Sequence, residues 1–344
     1  NFHVTQLCST TRAILLTGAD HHLVGIGSLV DLVLPYQSGK PGYEAHFNAK
    51  ARTVAQLLRD AGYHTLMAGK WHLGDTGPDQ WGFERSFALE GKLGNANNFG
   101  PTPGLENSGD PVFFEDGVSA TMPAGKFTAD HYVDKLIEYI DAGKADGKPF
   151  FAYFATQTPH WPLQAPDRYL DRYAGVYDVG YEAIRAARIA RQKQLGIVAE
   201  DFAINTGTPA GTLRYGSPPS SILYRPWSLL TATEKQEEAR SMEVFAAMLT
   251  NLDDNVGRLV AHLKAIGAYD NTLIVFLSDN GADGNGYPIP PSGHLDNSLA
   301  NYGRQGSFLY HSIGWADAGA APFRQFKGFT GEGGISSPTL IKLP

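Results

Sequence analysis

An α/β fold is what this sequence predicts, because short apolar runs alternate with longer segments whose apolar residues recur every three or four positions. Phe150–Ala155 and Thr272–Leu277 are the plainest runs, brief and rich in aromatic or β-branched residues. The helical pattern is plainest after Thr233, where Phe245, Met248, Leu252, Val256, Leu259 and Leu263 form one stripe. A chain of 344 residues with 42% hydrophobic content can fill one large α/β core or two smaller ones.

Taken in order, the first distinctive stretch is Cys8-Ser9-Thr10-Thr11-Arg12, followed by an apolar run and Thr17-Gly18. Cys8 is the only cysteine, so no disulfide explains it. If Cys8 ends a loop and Arg12 lies in the first turn of a helix, the spacing puts both on one face. Taken alone, the stronger reading of a lone free cysteine is a small buried core residue. Arg52 to Ala61 then reads as a helix with Val54, Leu57 and Leu58 on one face and Gly62 as its stop. Tyr63 to Ala68 reads as a short strand, and the loop after it carries Lys70 and His72. Open α/β sheets bind ligands beyond the carboxyl ends of their strands, which is where these two would lie.

Residues 75–127 are rich in Gly, Pro and Asn and read as long surface loops. Ala129 to Ala142 carries Val133, Leu136, Ile137 and Ile140 on one helical stripe. Phe150–Ala155 is expected as a buried central strand, with His160 just past its carboxyl end. Tyr181 to Leu195 is a basic helix whose Arg185, Arg188, Arg191 and Lys193 suit a solvated face. Gly207 to Pro226 is a loop. The helix opening at Thr233 has Glu234, Glu237 and Glu238 near its N-terminus, as its dipole prefers, and Gly267 ends it. Ser278-Asp279-Asn280-Gly281 closes the strand at 272–277 with ordinary turn residues. Residues 282–322 again read as loops, and Lys327 precedes Gly331-Glu332-Gly333-Gly334.

Composition excludes several classes. A net charge of −7 argues against a general binder of nucleic acid or membrane surfaces, so an anionic substrate must meet a local cluster of cations. No apolar run approaches the length of about 18 residues that a membrane span needs. The 39 Gly and 21 Pro indicate many turns and long shaped loops, where binding and catalytic groups concentrate.

Cys8-Ser9-Thr10-Thr11-Arg12 with Thr17-Gly18 resembles the type I sulfatase signature, Cys-x-Pro-x-Arg with a downstream Thr-Gly. Thr10 departs from it at the proline. A second signature of that family, Gly-Tyr-x-Thr-x-x-x-Gly-Lys-x-His, is met by Gly62, Tyr63, Thr65, Gly69, Lys70 and His72. Pro159-His160-Trp161-Pro162, the Asp279-Asn280 pair and Lys327 with Gly333, Gly334 and Pro338 match further segments in the family's order. The resemblance spans nearly the whole chain and is nearest to microbial arylsulfatases.

That resemblance implies an alkaline-phosphatase-like fold, a mixed, mostly parallel central sheet sandwiched by helices. Residues 1–344 would be a single catalytic domain, and both ends read as cut, without the family's first strand (ending in Asp-Asp) and its C-terminal subdomain. The implied activity is hydrolysis of small-molecule sulfate esters, aryl sulfate to phenol and sulfate. Its nucleophile would be a formylglycine hydrate made from Cys8 by the formylglycine-generating enzyme. Cys8, Asp279 and Asn280 would be ligands of a divalent metal, calcium or else magnesium. Arg12 would hold the modified residue, Lys70 and Lys327 would contact sulfate, and Lys327 or His160 would protonate the leaving oxygen. His72 would be the base that expels sulfate. Two alternatives remain open at this point: a phosphomonoester or phosphodiester hydrolase of the same superfamily, and an inactive homologue that only binds anions.

Overall fold

The computed structural model describes residues 2–29, 32–90, 98–100, 112–203, 207, 224–284 and 295–344. Its contacts divide the chain into two units. The first comprises Leu7–Thr158, Asn251–Ile274 and Lys342–Pro344, and the second Asn1–Gln6, Pro159–Thr250 and Val275–Ile341.

In the first unit, α1 (Cys8–Thr17) begins at the cysteine itself, so Cys8 opens the helix and does not end a loop. Gly18 stops α1 in the left-handed conformation, its N–H donating to the Ile14 carbonyl. α2 (Val54–Asp60) is fixed by a capping box in which Thr53 and Gln56 satisfy each other's backbone N–H groups. Next come β1 (His64–Lys70), β2 (Arg85–Glu90), β3 (Val112–Glu115), β4 (Val118–Ala120), α3 (Thr128–Gly143) and β5 (Phe150–Ala155).

The strands form one mixed sheet in the order β4-β3-β2-β1-β5. Its β2-β1-β5 part is parallel, and β3 and β4 continue it antiparallel. Strand alternation sorts its side chains between two cores. Met67 and Ala88 face one with Ala13 and Leu16 of α1 and Ala55 of α2. Leu66, Ala68, Phe87 and Leu89 face the other with Tyr132, Leu136, Tyr139 and Ile140 of α3. Helices therefore cover both faces, the layered α/β architecture expected.

Three expectations need correcting here. Residues 75–127 are not all loop, since β2, β3 and β4 lie within them. β2 is packed on both faces and so lacks a polar–apolar alternation, while β3 and β4 are too short to show one. Residues 91–97 and 101–111 fall outside the described residues. β5 is the end strand of the described sheet, not a central one. β1 runs two residues further than expected, through Gly69 and Lys70, because Gly69 pairs with Ala155 and Lys70 with Leu89.

The second unit holds α4 (Asp167–Leu170), α5 (Tyr181–Gln194) and the N-terminal part of α6 (Ala232–Ala265). It continues with β6 (Ile274–Leu277), α7 (Ile313–Ala320), α8 (Glu332–Ile335) and β7 (Thr339–Lys342), and β6 and β7 pair in a small sheet. Leu163, Leu170, Val244, Met248 and Leu309 form one core, and Tyr181, Trp315 and Ala318 another. α7 corrects the loop expected over 282–322, of which 285–294 lie outside the described residues. Of the Gly207–Pro226 loop, only 207 and 224–226 are described. The basic face of α5 is not wholly solvated. Arg185 is buried, pairs with Asp317 at 3.0 Å and donates to the Phe323 carbonyl at 2.9 Å. No helix among the described residues is long and apolar enough to cross a membrane.

Candidate functional site

The sequence-predicted residues fall into two sets, one in each unit. The first set gathers where α1 begins and β1 ends. Cys8, Arg12, Lys70 and His72 are all buried, Lys70 to 2% exposure. Cys8 and Arg12 sit one turn apart at the start of α1, and the Arg12 guanidinium donates to the Lys70 carbonyl. The Ser9 hydroxyl donates to the His72 carbonyl at 2.7 Å. These two bonds fasten the first turn of α1 to the segment leaving β1, and so fix the cysteine against the lysine and histidine positions. Thr10, where the signature has proline, turns its hydroxyl back onto the Leu7 carbonyl at 2.8 Å.

Gly69 has a physical reason to be glycine. Its φ is +129°, and an added Cβ would meet the Ala155 carbonyl oxygen at 2.2 Å. The backbone then turns sharply enough that His72 has φ +60°, a region histidine enters more readily than most residues. Two cations, Arg12 and Lys70, are thus buried together at one strand end. Burial of such charge is stable only where hydrogen bonds or an anion answer it.

The second set lies after β5 and β6. Lys327 Nζ donates to Asp283 Oδ2 at 2.8 Å and to His160 Nε2 at 2.9 Å. His160 Nδ1 lies 2.8 Å from the Trp161 carbonyl, which can only accept, so the proton is on Nδ1 and Nε2 accepts from the ammonium. Nearby His311 is buried and stacked on Phe245 at 4.3 Å. Burial pushes its pKa down to about 4, so its ring is neutral at physiological pH.

Asp279 and Asn280 follow β6 directly. The turn is pressed against the Gly331–Gly334 segment: the Gly281 N–H donates to the Gly334 carbonyl at 2.9 Å, and the Lys327 N–H to the Ala282 carbonyl at 2.9 Å. A Cβ on Gly281 would meet the Gly333 oxygen at 1.9 Å, and one on Gly333 would meet the Gln325 oxygen at 2.1 Å, so each glycine has its own steric reason. Asn280 Oδ1 is buried with no hydrogen-bond partner among the described residues. Such an orphaned amide oxygen is a hard donor suited to calcium or magnesium. Asp279 and Asn280 therefore fit part of a divalent cation's ligand set. No cluster of three or more His, Cys, Asp or Glu side chains forms a metal site among the described residues.

With this geometry in hand, comparison with known proteins is informative. The sulfatase family profile matches residues 1–344. This chain belongs to the sulfatase family. It is 38% identical to an uncharacterized sulfatase of Schizosaccharomyces pombe, over all of this chain and 63% of that protein. It is 34% identical to an arylsulfatase of Klebsiella aerogenes, over all of this chain and 72% of that one. Among solved structures, Ps i-CgsB in complex with k-i-k-neocarrahexaose superposes with TM-score 0.60 at 22% identity, covering 99% of this chain and 56% of that one. At that identity the likeness speaks for the fold alone, and it agrees with the alkaline-phosphatase-like sulfatase architecture expected. The chain thus spans less than two thirds of the fission yeast relative's length.

Sequence reasoning missed Asp283 and His311. Asp283 follows the Asp279-Asn280-Gly281 turn as one more acidic loop residue, and His311 lies in an irregular stretch. No spacing rule distinguishes either from a surface residue.

Proposed function

We propose that this sulfatase chain carries the chemistry of sulfate-ester hydrolysis, with aryl sulfates as the substrate class. The observation supporting this most directly is that the motif cations Arg12, Lys70 and Lys327 are buried, to 6, 2 and 5% exposure, in a chain whose net charge is −7. Buried cations in an acidic protein supply the local positive charge that an anionic substrate needs.

In this reading Cys8 is oxidised to formylglycine, whose hydrate supplies one hydroxyl as nucleophile and a second whose deprotonation expels sulfate and restores the aldehyde. Arg12, one turn along α1 and anchored to the Lys70 carbonyl, holds a positive charge beside residue 8. Lys70 and Lys327 bind sulfate oxygens. His72 takes the proton whose removal releases sulfate, and the His160–Lys327 pair returns a proton to the departing oxygen. Asp279 and Asn280 would hold a divalent cation, with calcium the expected ion and magnesium the alternative; it would offset the sulfate's charge.

The test uses the full-length protein purified from its native host. Peptide mass spectrometry should find residue 8 converted from –CH2SH to –CHO, and 4-nitrophenyl sulfate should be turned over. Cys8→Ser should abolish repeated turnover, because serine lacks the second hydroxyl. Unmodified Cys8 together with no sulfate release would overturn the reading in favour of an anion-binding homologue.

A further inference from the structure

The second unit contains an acidic residue to which the family resemblance gave no part. Asp283 is 12% exposed at its side chain, accepts from Lys327 Nζ at 2.8 Å and lies 3.4 Å from His160 Nε2. Both distances involve the same oxygen, Oδ2. A carboxylate oxygen and the unprotonated nitrogen of a neutral imidazole repel each other unless a donor lies between them. The Lys327 ammonium, 2.9 Å from that nitrogen, is that donor. The Trp161 carbonyl holds the ring in this tautomer from its other side. Of the two groups that could protonate a leaving oxygen, His160 therefore has no proton on the nitrogen facing Lys327, and Lys327 has.

We propose that Asp283 is a positioning residue that sets this division of labour, keeping Lys327 as the proton donor and His160 as the acceptor that aims it. The proposal rests on the sulfate-ester reading above. The step it governs is a single proton transfer. As the S–O bond to the alcohol breaks, its electron pair goes to the departing oxygen. That oxygen takes a proton from Lys327 Nζ, and the resulting amine is reprotonated from water. Charge is conserved around the cycle, and Asp283 stays ionised throughout. Among the described residues, the titratable groups seen to face Asp283 include Lys327, His160 and the neutral, buried His311.

The experiment is a leaving-group series on the full-length enzyme and its Asp283→Asn variant, which keeps an acceptor oxygen but removes the charge. Phenyl sulfate needs its oxygen protonated, whereas 4-nitrophenyl sulfate hardly does. Asp283→Asn should lower kcat for phenyl sulfate about tenfold or more, in the range that acid catalysis contributes. It should change kcat for 4-nitrophenyl sulfate by less than about threefold and leave KM nearly unchanged, and Asp283→Glu should recover much of the loss. Equal losses on both substrates, or none, would overturn the assignment while leaving the sulfatase reading standing. A wild-type enzyme inert to all sulfate esters would instead sink that reading. Nitrogen NMR of the imidazoles needs no turnover: Asp283→Asn should move the His160 Nε2 resonance and spare those of His64, whose partners are Glu84 and Asp146. An unmoved His160 signal would overturn the role of Asp283 on its own.

Discussion

Thr10 is the one residue at which the first motif departs from its family, and its surroundings say what the departure costs. It is the third residue of α1, where backbone N–H groups have no partner within the helix. Proline there would lose the bond from the Thr10 hydroxyl to the Leu7 carbonyl but would sacrifice no helical hydrogen bond. Thr10→Pro should therefore cost no more than the one side-chain hydrogen bond, about 0.5–1.5 kcal/mol, while raising the fraction of residue 8 converted to formylglycine if the proposed maturation holds. Chemical denaturation and peptide mass spectrometry measure the two effects separately. Gly281 is the opposite case. An alanine Cβ would lie 1.9 Å from the Gly333 oxygen, and neither backbone can retreat without parting the turn from its neighbour. Gly281→Ala should cost about 1–3 kcal/mol by overpacking, read as a lowered urea midpoint. Part of the candidate geometry was legible in the sequence. Cys8 and Arg12 lie one helix turn apart, and Lys70 ends a strand with His72 just beyond it, as their spacing implied. The roles given to these residues and to His160 and Lys327 belong to the proposed function. Asp283 and His311 were not legible because only folding brings them beside Lys327 and Phe245.

At the scale of elements, legibility followed exposure. α3 and α6 show water one face, so their stripes and bounds could be read to within a residue or two. α2 kept its bounds but not its expected face, since Leu57 is exposed and Ala55 is the buried residue. β2 shows water neither face and was invisible by the same logic. Arg185 misled because a basic helix face looks solvated until Asp317 is placed under it. Two elements carry pH dependence. His64, at the start of β1, lies 2.9 Å from Glu84 and 3.0 Å from Asp146, and these carboxylates raise its pKa above the ordinary 6.5. A raised histidine stabilises the fold fully below its unfolded pKa, and that contribution is lost as pH rises through the folded value. Urea midpoints should therefore fall between pH 6 and 8 more steeply in the wild type than in His64→Gln. Equal slopes would show the clamp to be energetically silent, as many exposed ion pairs are. Glu238 in α6 has the reverse chemistry. Its carboxyl is buried, which raises its pKa, and Oε2 has no hydrogen-bond partner among the described residues. An acid with a raised folded pKa loses stability as pH climbs from the ordinary 4.5 toward the folded value. Glu238→Gln should thus be more stable than wild type at neutral pH, and the two should converge below the ordinary carboxylate range.

For the whole molecule, the central question is what answers the charges and orphaned acceptors that the fold buries. The cations of the first set, Arg12 and Lys70, are buried side by side. The Asn280 oxygen, buried with no hydrogen-bond partner among the described residues, awaits a cation or a donor. A buried acceptor left without a partner costs about 1–3 kcal/mol, a penalty that a bound ion would remove. Binding to the folded state alone stabilises by mass action, about 2.7 kcal/mol when the free ion exceeds its Kd a hundredfold. The full-length protein should accordingly melt several degrees higher in millimolar calcium than in EDTA. Asn280→Ala should erase that increment while raising stability in EDTA, since it deletes the unsatisfied oxygen. The two signs together distinguish a metal ligand from a merely structural amide. If Asn280→Ala destabilises the protein equally with and without calcium, the oxygen has a protein partner and the Asp279-Asn280 turn is not where the cation binds.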